Sequence, residues 1–438
     1  MLTDLVNKKG NPDDEEIGTN NFFKDCHMFK IVRFPSKLEP FFRSLTTIFH
    51  WKHFDYFRML ALLIAISTGR RNISALYRNL DAKVQSHRTR FNNFLNVGRW
   101  DMAEALKQTA YELLAALRPC KGEVIELVID DSKKRKRGKR MDAVGWIFDP
   151  TTGRKIRGHQ YVKATIRFRG YTIPFAIRLF VKKRDCKDLG VSFRKTTELT
   201  ADLIRELQPP AGVGVRVLFD SYYLCKTVVN ACRDKGFRFV STLKANRNLF
   251  KNGRKLKAGD YGRNLFRKKC KRKHQVSKID GEVTYNYVAP GWMDVGDLGS
   301  LYVVYSRKGS EPRILGLVTD EKGLTPAGII DAYDDRWSIE VFFKDAKQLL
   351  GLGQYQNRSY TAAVTHLHLV CFAYALLTHL AVTRDGEKGK RRKAKRASTG
   401  DLQNELRRIA WEDLADYLKE LPDGNSVVKE LDRLFVAA

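Results

Sequence analysis

The sequence predicts an α/β fold: a mixed sheet flanked by helices, with a β-rich insertion and an N-terminal all-helical domain. Three observations lead there. Residues 40–117 carry apolar side chains at i, i+3, i+4 spacing, the mark of packed helices. From Gly122 onward, short β-branched and aromatic runs alternate with helical stretches, as in a sheet with helices laid on it. Residues 247–306 then break the alternation with turn pairs and β-prone runs. A chain of 438 residues exceeds one ordinary core, so two or three domains are expected.

Residues 1–20 are polar and acidic at their start and read as a flexible arm, not a signal peptide. Residues 21–120 read as a helical, DNA-binding domain. Asn72 and Asp101 are its N-caps, and His87, Arg88, Arg90 and Arg99 lie between its helices. A bundle with a solvated basic face is the alternative. "GEVIELVIDD" is a strand ending in two carboxylates, followed by "AVGWIFD", "GHQYVKATIRFRG" and "YTIPFAIRLFV". "TTELTADLIRELQP" is a helix stopped by Pro209 and Pro210. "GVGVRVLFDS" is a strand ending in a carboxylate, "YYLCKTVVNACRDKG" a helix closed by Gly236, and "FRFVSTLKANR" a strand. After the insertion and the strand "RILGLVT", residues from Thr325 to Gly351 read as one long helix. Thr325 is its N-cap, Pro326 its first residue, and Gly351 and Gly353 mark its end. A second apolar helix covers 362–383, and 384–438 read as a basic linker and helical tail.

The charge balance is 80 Lys+Arg against 49 Asp+Glu, a formal +31. Such a field calls for a polyanionic partner, nucleic acid first and a membrane surface second. Basic clusters at Lys133–Arg140, Arg267–Lys273 and Lys388–Arg396 suit phosphate tracking, with affinity falling steeply in salt. The seven cysteines form no C-x-x-C pair and read as reduced cytosolic thiols, not a disulfide frame or zinc site. The longest apolar run is interrupted by His368 and His379 and falls short of the ~18 residues of a membrane span, so it reads as a buried helix. His366 and His368 point to different sides of that helix and read as core or surface residues. Neither a P-loop nor a G-x-G-x-x-G fingerprint occurs, which leaves ATP-driven and redox chemistry unsupported.

Two strands of the expected sheet carry an acid, Asp130 in "LVID" and Asp220 in "VLFD". A carboxylate on a buried apolar strand is unfavourable unless something compensates it. A third acid lies on the long helix. Tyr333, Arg336, Glu340, Lys344 and Lys347 fall within roughly 40° of one line along it, facing protein or a cleft. Asp334, Asp335, Ser338 and Asp345 fall on the opposite face, expected to be solvated. An i,i+4 ion-pair ladder is the plainer alternative. Three oxygen donors on different elements suit hard divalent cations, and two such cations serve phosphodiester cleavage.

The spacing Y-x2-R-x3-E-x6-K at Tyr333, Arg336, Glu340 and Lys347, with "LVIDDS" and "VLFDSYY" before it, resembles the DDE transposases of bacterial insertion sequences, the cut-and-paste type with the Tyr-Arg-Glu-Lys (YREK) signature. The resemblance spans roughly residues 120–380 in element order. It implies an RNase H-like catalytic domain over 121–246 and 307–383, carrying 247–306 as its β-rich insertion. It implies that Asp130, Asp220 and Glu340 are catalytic and hold two Mg²⁺ or Mn²⁺ ions. Water, then a DNA 3′-hydroxyl, would attack phosphodiesters at transposon ends, with excision often through a DNA hairpin. Tyr333, Arg336 and Lys347 would bind DNA phosphates. The family's D-x-[ST] form selects Asp130, while Asp131 stays open by an alignment slip of one; the family spacing selects Lys347 over Lys344. Trp292 reads as a hairpin core residue, with stacking on a flipped base as the alternative. The implied partners are double-stranded DNA, as inverted repeats and target, and a second copy in a synaptic homodimer, with no membrane. The implied location is the bacterial cytoplasm, at the nucleoid. Two rival classes stay in view: an RNase H-like nuclease without strand transfer, and a non-catalytic DNA-binding regulator derived from a transposase.

Overall fold

Ile125, Leu127, Val128 and Ile129 form an almost unbroken apolar run, and all four are fully buried. Such a run belongs in the middle of a sheet, covered on both faces. The computed structural model describes residues 30–81, 87–97, 100–138, 140–150, 152–268, 271–278, 281–387 and 397–435. The expected arm at 1–20, Arg99, Lys139, Lys269, Cys270 and the cluster Lys388–Arg396 lie outside them.

The strands are β1 (Val124–Arg135), β2 (Gly145–Asp149), β3 (Arg154–Phe168), β4 (Tyr171–Leu179), β5 (Gly214–Phe219), β6 (Arg238–Leu243), β7 (Asn248–Lys251), β8 (Arg254–Lys257), β9 (Arg272–Lys278), β10 (Gly281–Val295), β11 (Ser300–Lys308) and β12 (Leu315–Thr319). They share one sheet in the order β2-β3-β1-β5-β6-β12-β11-β10-β7-β8, with β4 beside β3 and β9 beside β10. β1, β5 and β6 run parallel to their neighbours in that trio. β3 and β12 flank the trio antiparallel, so the sheet is mixed, as expected. One expectation fails here. β1 does not end at its acids but runs on to Arg135, paired with β3 without a register shift. What ends near the acids is its parallel ladder with β5, at Val128 opposite Leu218.

The helices before the sheet are α1 (Trp51–Ile66), α2 (Ile73–Arg78), α3 (Arg88–Val97) and α4 (Met102–Ala116). Asn72 and Asp101 cap α2 and α4 as expected, accepting from the Ala75 N–H and from the Ala103 and Glu104 N–H groups. α5 (Thr196–Glu206) and α6 (Lys226–Asp234) separate the central strands. α7 (Ala258–Lys268) is a helix, not foreseen, inside the segment expected to be β-rich. Its buried Ala258, Gly262, Leu265 and Phe266 follow helical spacing, which the basic residues around them obscure. Gly262 is needed there, because a Cβ would stand 2.5 Å from the Tyr305 ring.

The expected long helix is two, α8 (Pro326–Asp335) and α9 (Trp337–Gln348), broken at Arg336. The chain tightens there: Arg336 N–H donates to Tyr333 O at 3.1 Å and Ile339 N–H to Arg336 O at 3.2 Å. Thr325 caps α8, and Gly351 and Gly353 follow α9 with φ of 69° and 78°. α10 (Tyr360–Glu387) is apolar and long enough to cross a membrane, yet 83% of its apolar window is buried in protein. His366 and His368 are core residues on it. Their ring nitrogens meet the carbonyls of Arg71 (3.0 Å) and Val364 (2.8 Å), and burial pushes both pKa values down to about 4. α11 (Thr399–Lys419) and α12 (Gly424–Phe435) complete the chain. α11 packs back on α1: Gln403 Nε2 donates to Ala65 O at 2.5 Å, and Arg407 Nε to Ile66 O at 2.8 Å.

Phe57 of α1 joins the helical region to α10. Its ring stacks on Phe49 at 4.4 Å and meets Phe372 of α10 edge-on at 4.7 Å. Phe57→Ala is expected to destabilise the fold by about 3–5 kcal/mol, read from the denaturant midpoint, because this fully buried site cannot collapse around the cavity.

Candidate active site

Register brings the first two acids together. Val128 and Leu218 are the last paired residues of β1 and β5. Two residues further along each chain stand Asp130, still on β1, and Asp220, the first residue after β5. They lie at the carboxyl end of the parallel ladder, where open α/β sheets bind ligands. Backbone donors fix both: Asp130 Oδ1 accepts from the Asp131 N–H at 2.8 Å, and Asp220 Oδ1 from the Tyr222 N–H at 2.9 Å. Burial raises the Asp130 pKa to about 7; the nearby Asp220 and Asp131 charges add to the rise and Arg336 opposes it. Burial also raises the pKa of Asp220.

Glu340 enters from α9 through Arg336. One guanidinium nitrogen of Arg336 donates to Asp130 Oδ2 at 3.2 Å, and the other terminal nitrogen donates to Glu340 Oε1. The same group lies over the Tyr333 ring, 5.3 Å from its centroid. Burial disfavours the charge on Arg336, but Tyr333, Asp130 and Glu340 outweigh it and raise the pKa. A cleft of about 630 Å³ is lined by Asp220, Tyr333, Arg336, Trp337 and Glu340. Lys347 stands outside that lining, half-buried, 5.6 Å over the Phe343 ring; burial and Lys134 lower its pKa. Lys344 is exposed.

Asp131 has other partners. Strand alternation turns it to the opposite face of β1. There it accepts from Gln160 Nε2 (2.8 Å), Lys133 Nζ (3.0 Å) and Tyr223 OH (3.1 Å).

The expected solvated face of the long helix is only half exposed, and its acids are bonded to other elements. Asp335 Oδ2 takes a bond from Arg167 at 2.6 Å, Asp334 Oδ1 from Tyr285 OH at 2.8 Å, and Asp345 Oδ2 from Thr399 Oγ1 at 2.6 Å. The Ser338 hydroxyl is buried. Exposure falls instead on Trp337, Val341 and Lys344. The helices are covered by β10 and α11 as well as by the sheet, and a helical wheel has no knowledge of those covers. Trp292 also departs from expectation: it is 43% exposed, with its ring edge-on to Tyr302, and is not a core residue.

Sequence reasoning passed over the ion network behind the site. Arg167 joins Asp335 to Glu126 at 3.0 Å, and Arg216 joins Glu126 (3.6 Å) to Glu321 (2.7 Å). Glu126 is nearly inaccessible, and burial pushes its pKa up to about 7. Through Asp335, this network anchors the helix break that aims Arg336. The available signal was a lone Glu inside "EVIELVI" and single Arg residues inside the apolar strands β3 and β5.

The donor set, carboxylate oxygens only, is of the kind that suits a hard divalent cation. Among the described residues, however, no three His, Cys, Asp or Glu side chains lie together as a metal group. Arg336 supplies the cation between Asp130 and Glu340.

A carboxyl whose folded pKa exceeds its unfolded value favours the fold below the unfolded pKa. It loses that stability as pH rises through the folded value. For Asp130 the window is from about 4 to about 7. Asp130→Asn without divalent cation should therefore raise the melting temperature at pH 8 and change it little at pH 4. The gain should be on the order of 1–4 kcal/mol, read by calorimetry.

Comparison with known proteins places the chain in a family. Residues 41–286 match the family model described as DDE superfamily endonuclease. A curated relative, the probable transposase for insertion sequence element IS701 of Microchaete diplosiphon, is 27% identical over 157 residues, 35% of this chain. That match spans only 40% of the relative's length. A cryo-EM structure of the piggyBac transposase synaptic complex with hairpin DNA aligns over 91% of this chain and 81% of that one, at 11% identity and a TM-score of 0.45. Since the family match covers more than half of its length, the chain belongs to the DDE superfamily endonucleases.

Proposed function

We propose that this chain is a DNA transposase that cleaves phosphodiester bonds at transposon ends and joins the 3′-hydroxyl to target DNA. The observation that carries the reading is the Arg336 bridge between Asp130 and Glu340 at the end of the parallel strands, with Asp220 near enough to Asp130 for its charge to raise the Asp130 pKa. On this reading the sheet and its helices are the RNase H-like catalytic domain, and the three acids are catalytic and hold two Mg²⁺ or Mn²⁺ ions. Such ions, when bound, activate the attacking oxygen and neutralise the leaving one.

The chain's own residues do the positioning. Asp130 and Asp220 are set by strand register and Glu340 by α9, so the acids come from three elements that cannot drift together. Arg336 leaves its carboxylate bridge and turns its planar fork to a phosphate, which suits bidentate contact. Tyr333 beside it offers a hydroxyl in the same cleft. Lys347, farther along α9, adds a point charge for the DNA backbone. Asp131 keeps its three partners and orients β1. The DNA partner is the duplex end and its target, and the protein acts as a synaptic homodimer at the bacterial nucleoid. The name of the curated relative, a probable transposase, supports the same assignment.

The test offers DNA flanking the gene, with its inverted repeats, together with Mg²⁺ and looks for cleaved and joined products. Asp220→Asn and Glu340→Gln should each slow cleavage by about 100-fold or more, ~2.7 kcal/mol of barrier, while binding persists. Wild-type rates in either variant would overturn the site. Cleavage without any joined product would favour a nuclease, and binding without cleavage a regulator.

A further inference from the structure

The cleft around the acids leaves unused a second groove, of about 920 Å³, at the edge of the sheet. Its walls include Arg135, Arg137, Arg154, Lys155, Arg157 and Trp146. β2 is the edge strand beside β3. It places Trp146 opposite Arg157 and Phe148 opposite Lys155, so two aromatics and two cations share one face. Trp146 is 61% exposed and Phe148 57%, although large apolar side chains on a strand are ordinarily covered. Arg157 donates to Gly138 O at 2.5 Å. Arg135, Arg137, Arg154 and Lys155 have no acidic partner within ion-pair distance among the described residues. Asp149 stands at the rim, where it accepts from Thr152.

The groove is also connected to the acids. β1 runs unbroken from Asp130 to Arg135, paired with β3 throughout. Five residues of strand span about 17 Å. That distance corresponds to about five nucleotides of B-form strand at 3.4 Å per step. By register, Trp146, Phe148, Lys155 and Arg157 lie on the face of the sheet that carries Asp130, whereas Arg135 lies on the face of Asp131.

We propose that the β2–β3 edge holds an unpaired DNA strand flanking the bond to be cut. Trp146 and Phe148 stack on its bases, while Arg154, Lys155, Arg135 and Arg137 follow its phosphates. Positive charge alone would serve duplex and single strand alike. Exposed aromatic rings beside the charge serve only bases whose faces are free, and stacking is tolerant of sequence. The proposal rests on the transposase reading and adds to it a strand that must be melted near the cleavage site.

The experiment uses the full chain and fluorescein-labelled mixed-sequence DNA, either blunt duplex or the same duplex with a ten-nucleotide single-stranded tail. Anisotropy is read across a salt series, and bromodeoxyuridine in the tail is photo-crosslinked and mapped to peptides. Wild type should prefer the tailed DNA, with cross-links on the 145–149 peptide. W146A/F148A should weaken tailed binding about tenfold or more and blunt binding by less than about twofold. R154E/K155E should weaken both and flatten the salt dependence. Equal affinity of wild type for tailed and blunt DNA, unchanged tailed binding in W146A/F148A, or cross-links confined to other peptides would each overturn the proposal and leave the transposase reading standing. Absence of any DNA binding by wild type would overturn both.

Discussion

The site depends on one buried cation. Arg336 bridges Asp130 on the central strand and Glu340 on α9, and Asp220 lies near enough to Asp130 for the two charges to act on each other. A bridge of this kind contributes little net stability, because withdrawing the charges from water opposes their attraction. Its consequence here is positional. It ties Asp130 of β1 to Glu340 of α9 beside Asp220, and burial raises the pKa of both aspartates. That is an electrostatic arrangement awaiting positive charge, and it accounts for why the strand register, the helix break and the ion network behind it converge.

Each supporting feature bears on that point. The parallel β1–β5 ladder sets Asp130 beside Asp220. The tight turn between α8 and α9 aims Arg336 inward, and the Asp335–Arg167–Glu126 chain clamps that turn to the sheet. Tyr285 and His274 tie the insertion to α8 through Asp334 and Asp331, so a movement of the insertion is felt at the same helix.

Much of this was legible in the sequence, because it depends on local patterns. Apolar runs gave the central strands, cap residues the starts of α2, α4 and α8, and the i,i+4 spacing the relation of Arg336 to Glu340. What stayed hidden depends on tertiary cover. Asp334, Asp335 and Asp345 look solvated on a helical wheel but are bound by Tyr285, Arg167 and Thr399, which lie 49, 168 and 54 residues away. The extension of β1 beyond Asp130 is polar and basic, so it lacks the apolar signal of a strand and is held by pairing with β3. α7 was missed because its apolar face is narrow and carries a glycine where Tyr305 packs.

The central claim is that Asp130, Asp220 and Glu340 form one cation site. Mn²⁺ binding to the full chain, followed by electron paramagnetic resonance, tests it without reliance on turnover. Wild type and Asp131→Asn should bind with similar affinity, while Asp130→Asn and Glu340→Gln should each lose affinity by about tenfold or more. Undiminished binding in Asp130→Asn, or loss in Asp131→Asn alone, would contradict the account.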